Sequence, residues 1–313
     1  MPPGNKSLFE QLTGKTDKLV PYGPANVMLL EDFNIPVMQK VAALEFAKND
    51  IVVCSYPKSG TTWTQAIISM IMHAKDTEPI DVSQSKLDEW LYIEMNAPAC
   101  KGKRPVEAAR DAAPPRLLRT HLSWELLPQS VTTNSPRIVF VHRNLKDVIV
   151  SMYHMYCTFP NLASAHPANS AAEFAELFMQ DKVHHAPYFH TFKSVWEHRN
   201  DPNVHHLSYE SLREDPRSEI KRLADFLDKP LTSQQAEQIA HHTDFDNMRQ
   251  NENLNSSAMT VTDKTTGETK FEFMRKGEVR GWRKHLSEEY GQKIDDWIQQ
   301  EARNYGLDAS LFR

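Results

Sequence analysis

The nine residues Ser55-Tyr56-Pro57-Lys58-Ser59-Gly60-Thr61-Thr62-Trp63 lie between the apolar run Ile51-Val52-Val53-Cys54 and a helix-like stretch. A strand, a tight turn and a helix start in so short a span aim successive backbone N–H groups and a positive helix end at one point, and Lys58 adds a full charge. What such a turn can do is hold an oxyanion. A nucleotide-triphosphate loop needs Gly, four residues, then Gly-Lys-Ser/Thr. Here Ser55 stands at the first glycine position and Lys58 precedes Gly60, so the anion need not be an ATP phosphate.

Other groups could serve the same anion. The run Arg137-Ile138-Val139-Phe140-Val141-His142 leads into Arg143, where a magnesium-dependent NTPase would want an Asp. An arginine there points to an anion held by protein cations without a metal. Eight residues on, Ser151 falls on the next helix, within reach of the same place. Five cations stand between Arg275 and Lys284, with Gly277 and Gly281 letting backbone approach a ligand. A charge run is usually a solvated face, but this one follows a long polar segment and reads as an anion clamp. His121, just past Leu117-Leu118-Arg119-Thr120, can act as a general base, since imidazole titrates near pH ~6.5. The pairs His184-His185, His205-His206 and His241-His242 are read as structural or surface, lacking the order of a zinc site. Trp63, Tyr209 and Phe245 could form a base-stacking slot.

These residues need strands that end together. Apolar runs at Asp50 to Ser55, Arg116 to Thr120, Arg137 to His142 and Asn203 to Ser208 read as buried strands. Helical spacing marks Thr62 to Lys75, Lys146 to Cys157, Ala171 to Lys182, Tyr188 to Arg199, Pro216 to Leu227, Ser233 to His242 and Glu288 to Tyr305. The alternation predicts an α/β fold with a central, mostly parallel sheet flanked by helices and ligands outside the carboxyl ends of the strands. Asn96 to Arg116, Thr158 to Ser170 and Asn251 to Lys270 read as loops, the last long enough for a lid.

The 313 residues, 40% apolar, suffice for one large α/β domain, and we expect a single domain over residues 1–313. With 36 basic against 41 acidic residues, the net charge of −5 argues against a general nucleic-acid or membrane-surface binder. Cys54, Cys100 and Cys157 contain no C-x-x-C pair and read as reduced thiols. Met1 to Glu10 has no apolar signal core, and the run Ala66 to Met72 is too short to span a bilayer. A cytoplasmic protein without nucleic-acid or membrane partners is expected.

Together, Tyr56 to Trp63, Arg119-Thr120-His121, Arg143 to Ser151, Tyr209-Glu210 and Arg275-Lys276-Gly277 resemble the cytosolic sulfotransferase family in order and spacing. The resemblance implies a P-loop-like phosphosulfate-binding loop, 3′-phosphoadenosine 5′-phosphosulfate (PAPS) as co-substrate, PAP as product, and no metal. It assigns the 5′-phosphosulfate to Lys58 and the backbone of Ser59, Gly60, Thr61 and Thr62, and the 3′-phosphate to Arg143, Ser151, Arg275, Lys276 and Gly277. Trp63, Tyr209, Thr243 and Phe245 would surround the adenine, with Met248 counted among the nucleotide-binding residues. His121 would take the proton from the acceptor hydroxyl or amine, Lys58 would neutralise the departing phosphate oxygen, and Ser151 would restrain Lys58 until acceptor arrives. Tyr153, Phe159, Met248 and the three loops are expected to shape the pocket of a small, largely apolar acceptor such as a phenol, steroid or alcohol.

Two positions depart from the family pattern. Arg119 stands where the family usually has Lys, so a planar fork replaces a point charge. The segment Arg283 to Gln292 keeps only a cation and a hydroxyl of the family's dimer motif, which leaves a homodimer open. Three rivals stand beside a sulfotransferase reading: a non-catalytic nucleotide-binding homologue, a retinol-dehydratase-like member, and a nucleotide kinase, which the altered cradle disfavours.

Overall fold

A strand buried on both faces reads as an unbroken apolar run, and every residue of Ile51–Ser55 is buried at the centre of a sheet. The structure, a computed structural model, describes residues 17–75, 78–97, 102–159, 168–255, 261–262, 269–271 and 277–313. It begins with a hairpin of β1 (Leu19–Tyr22) and β2 (Val27–Leu30), followed by α1 (Ile35–Ala42). β3 (Ile51–Ser55) runs into α2 (Thr61–His73), and β4 (Leu91–Tyr92), α3 (Pro105–Asp111) and β5 (Leu117–Thr120) follow. Next come α4 (Ser130–Thr133), β6 (Arg137–His142), α5 (Leu145–Thr158), α6 (Ala171–Met179) and α7 (Tyr188–Trp196). β7 (Val204–Ser208) continues into α8 (Tyr209–Glu214), α9 (Pro216–Phe226), α10 (Ser233–His242) and α11 (Phe245–Gln250). β8 (Val261–Thr262), β9 (Thr269–Phe271) and α12 (Glu288–Tyr305) complete the order.

The main sheet has the order β4-β5-β3-β6-β7, and all of its pairings are parallel. Side chains alternate across it. Ile51 and Val53 pack with Ile67, Val139 and Ile220 on one face, and Val52 and Cys54 with Phe140, Val148 and Phe192 on the other. From β3 the chain builds β5 and β4 to one side, then β6 and β7 to the other. That reversal makes the carboxyl end of β3 a topological switch point, where α/β sheets open a crevice. The buried Asp50 and Arg116 lock the opposite ends of β3 and β5, with the Asp50 carboxylate accepting from the Arg116 backbone N–H at 2.9 Å and from its Nε at 3.1 Å.

All four expected strands are present, but two of the expected loops hold structure. Asn96 to Arg116 contains α3, started by Pro105 in its first turn and by Glu107 accepting the Arg104 backbone N–H at 3.2 Å. It buries Val106 and Ala109. Within Asn251 to Lys270, Leu254 is buried and β8 pairs with β9 in antiparallel register, so the described part of this segment holds structure. Residues 256–260 and 263–268 of that segment, and 160–167 of the Thr158 to Ser170 loop, lie outside the described residues. α6 stops at Met179, short of Lys182, because Asp181 takes a left-handed φ of 56°. Among the described residues no helix is long and apolar enough to cross a membrane.

Candidate active site

The cradle starts where β3 ends. Tyr56 is buried, and its hydroxyl donates to the His184 carbonyl at 3.1 Å. The Ser59 N–H closes a turn on the Tyr56 carbonyl at 3.3 Å. To make that turn Lys58 takes φ 71° and Gly60 φ 112°, the second a conformation that side chains rarely adopt. A Cβ on Gly60 would stand 2.8 Å from the Tyr209 ring. α2 begins at Thr61, so the N–H groups of Thr61, Thr62 and Trp63 belong to a first helical turn with no carbonyl behind it. These donors, the helix dipole and Lys58 make an oxyanion site. Ser59 is set deeper than its neighbours. Its side chain is buried, its N–H is already used, and it does not line the cleft, because the left-handed Lys58 turns it inward.

Arg143 follows β6 directly. Its Nη2 donates to the Glu278 carbonyl at 2.7 Å, and its guanidinium lies 4.2 Å from the centre of the Tyr209 ring. The buried Nε of Arg143 has no partner. Asp147, one turn into α5, accepts from the Arg280 N–H at 2.8 Å and the Trp282 N–H at 2.9 Å, which ties the segment after Gly277 to the end of β6. Gly277 has φ 61°, and a Cβ there would stand 2.6 Å from Phe245. Ser151 faces the same cleft. Arg275 and Lys276 lie outside the described residues.

Trp63 and Tyr209 meet edge to face, 5.2 Å between centroids, and with Thr243, Phe245 and Met248 they line one part of the cleft. The Thr243 hydroxyl donates to the Ile239 carbonyl at 2.7 Å, so its proton is not available to a ligand. A flat, largely apolar slot beside cations suits a nucleobase.

His121 stands past the end of β5. Its Nδ1–H donates to the Ser55 carbonyl at 2.6 Å, which leaves Nε2 as the accepting nitrogen. Its backbone N–H donates to Glu94 Oε1. Burial, then the charges of Arg119 and Lys58, lower the His121 pKa from 6.5 to about 3, so the ring is neutral at physiological pH. Arg119 lies 4.6 Å over the Tyr92 ring, and burial raises the Glu94 carboxyl to about 7. His121 and Arg119 sit in the same cleft of ≈ 280 Å³ as the cradle, and Leu30, Phe33, Tyr92, Met155 and Phe159 line its other end.

Comparison with known proteins decides the family. The model of the sulfotransferase domain matches residues 48–306. The chain belongs to the sulfotransferase family. It is 31% identical to the amine sulfotransferase of Oryctolagus cuniculus, over 88% of this chain and 87% of that protein, and 31% identical to human sulfotransferase 1E1, over 90% and 92%. Among solved structures, mouse sulfotransferase SULT7A1 complexed with PAP superposes with TM-score 0.70 at 26% identity, covering 90% of this chain and 94% of that one. Retinol dehydratase in complex with androsterone and PAP superposes with TM-score 0.78 at 23% identity, covering 93% and 91%, a likeness of fold. This chain is therefore an enzyme of sulfonate transfer.

Several residues of this sulfotransferase's cleft are not among the sequence candidates. His184 and His185, read as structural or surface, are buried and line it beside His121. Leu30 and Phe33 arrive because the β1–β2 hairpin docks on this stretch, the Met28 N–H donating to Ala186 and the His185 N–H to Met28, each at 2.7 Å. Arg213 lies 5.7 Å over Trp63, within the cleft. Tyr153 does not line it; its hydroxyl donates to Asn169 at 3.3 Å, away from the cleft. None of the described residues of Asn96 to Arg116 lines it either. Met248, counted at both ends, belongs with Trp63 in the slot, packed in the α2 face of the core. For Glu94 the sequence offered one signal, a lone acid after the apolar run Trp90 to Ile93.

Proposed function

We propose that this single-domain enzyme transfers the sulfonate of PAPS to the hydroxyl, or amine, of a small and largely apolar acceptor, with His121 as general base. When bound, PAPS supplies an activated sulfonyl group and leaves as PAP. The cradle fits its phosphosulfate, the orphaned Nε of Arg143 fits its 3′-phosphate, and the slot of Trp63, Tyr209, Phe245 and Met248 fits its adenine. His121 Nε2 takes the acceptor proton as the acceptor oxygen attacks sulfur in line. Lys58 and the first N–H groups of α2 meet the charge that grows on the departing phosphate oxygen. Ser151, on the same cleft, restrains Lys58 until acceptor arrives.

The observation that carries this reading is the His121 Nδ1–H bond to Ser55, the last residue of the strand that leads into the cradle. It fixes the tautomer and ties the base to the anion site through one backbone group. A base with a pKa of about 3 would be weak. The negative charge of the donor raises it on binding, since a nearby anion favours the imidazolium. Arg119 keeps a cation where the family has Lys. The free thiols Cys54 and Cys157 accord with the cytoplasmic setting we assign.

Transfer from sulfur-labelled PAPS to a panel of phenols, steroids, amines and aliphatic alcohols tests the proposal. Labelled product is expected with at least one phenol or alcohol, unaffected by EDTA, and with the mass of a sulfonate gained. Tight PAP binding without transfer to any acceptor would contradict it in favour of a binding protein, and loss of water from the acceptor would favour a dehydratase.

A further inference from the structure

His184 and His185 are adjacent, buried and at the wall of the cleft, yet they are served differently by the protein. His184 Nε2–H donates to Asn34 Oδ1 at 2.7 Å. His185 has no partner on either ring nitrogen. A buried polar atom left unpaired is costly, and His185 carries two. Its backbone is also unusual, with φ 67° in the left-handed region, where a non-glycine residue is strained. The strain is held in place by its N–H on Met28 at 2.7 Å and by the Thr191 hydroxyl donating to its carbonyl at 3.2 Å. The fold thus fixes a strained residue so that an unsatisfied ring lies 5.6 Å, centroid to centroid, from the ring of His121.

That spacing has a chemical reading. Two oxygens, each held ~2.8 Å from a nitrogen of one ring, can belong to one small molecule with the groups a few bonds apart. Resting on the function proposed above, we infer that His185 reads a second neutral oxygen group on the acceptor, a hydroxyl or carbonyl near the hydroxyl that is sulfonated. The preferred acceptors are then diols or hydroxyketones, ahead of their monofunctional counterparts. Burial and the neighbouring His184 and His121 hold His185 uncharged, so it offers one N–H and one lone pair. Such a ring suits a neutral group, while a second ammonium would meet Arg119 and Lys58 in the same cleft.

The test compares kcat/KM for 2,3-dihydroxynaphthalene and 2-naphthol in the wild type and in His185→Phe, with PAP affinity as the control for folding. In the wild type the diol should be favoured by about tenfold or more, well beyond the factor of two from having two equivalent hydroxyls. In His185→Phe the ratio should fall to about two, with 2-naphthol still turned over. His185→Asn, which tolerates the left-handed backbone and is too short to reach the same oxygen, should collapse the ratio likewise. A wild-type ratio of two or less, or a ratio unchanged in a variant that binds PAP normally, overturns the inference and leaves sulfonate transfer standing. If neither naphthol accepts label from the wild type while other acceptors do, the inference also fails. If nothing accepts label, the proposed function falls and this inference with it.

Discussion

The cradle end of the cleft is supplied by residues within a few positions of strand ends: Lys58 and Gly60 after β3, Arg143 after β6, Tyr209 after β7. The other end is assembled from the β1–β2 hairpin, the residues around β4 and the irregular stretch before α7, regions far apart in the chain. His121 stands between them, tied to the cradle through Ser55 and to the other end through Glu94. The sheet dictates the first end, while connections that the sheet does not constrain build the second.

If the cradle end carries the chemistry, Lys58→Ala should lower kcat/KM by about a thousandfold, a loss in the range of a removed transition-state donor plus its charge. A loss below tenfold in a labelled-donor assay would remove Lys58 from the reaction. At the acceptor end, Glu94 supplies the next largest effect. Its folded pKa is raised, first by burial, from 4.5 to about 7, so the folded protein binds that proton more tightly than the unfolded chain does. The resulting stability is complete below pH 4.5 and is lost as pH rises through 7. Relative to Glu94→Gln, the wild type should lose on the order of 3 kcal/mol over that window in urea unfolding. A flat difference would mean that Glu94 does not titrate there.

Two smaller effects would separate the ends. Asp147→Ala removes the acceptor of the Arg280 and Trp282 N–H groups and should weaken PAP binding about tenfold, in keeping with two charge-assisted bonds partly compensated by water. Acceptor KM should change little; equal changes in both would show that the ends are not independent. Asn34 accepts from His184 and the Leu30 N–H and donates to the Glu94 carbonyl at 3.0 Å. Asn34→Ala should raise acceptor KM about fivefold, with PAP affinity measured by calorimetry within twofold of wild type.

The same contrast sets what was legible in the sequence. A buried parallel strand announces itself as an apolar run and places the residue after it at the ligand edge, so Lys58, His121, Arg143 and Tyr209 could be read directly. The His184-His185 pair carried no such signal. Its place in the cleft depends on hydrogen bonds with the hairpin at Met28, whose strands have four residues each, too few for a period to show. Asp147 was visible only as part of a motif, because the N–H groups it holds lie more than 130 positions away. The burial of Ser59 could not be read, because the turn's left-handed residue is Lys58, a conformation that no residue type there advertises.

The central claim is that one histidine, its tautomer set by the strand end that leads into the cradle, is the base for sulfonate transfer. Measuring His121→Ala for turnover of labelled PAPS and for PAP affinity in the same preparation tests it directly. Turnover should fall by about a thousandfold or more while PAP binds as in the wild type. Turnover within tenfold of wild type, with PAP still bound, would contradict it.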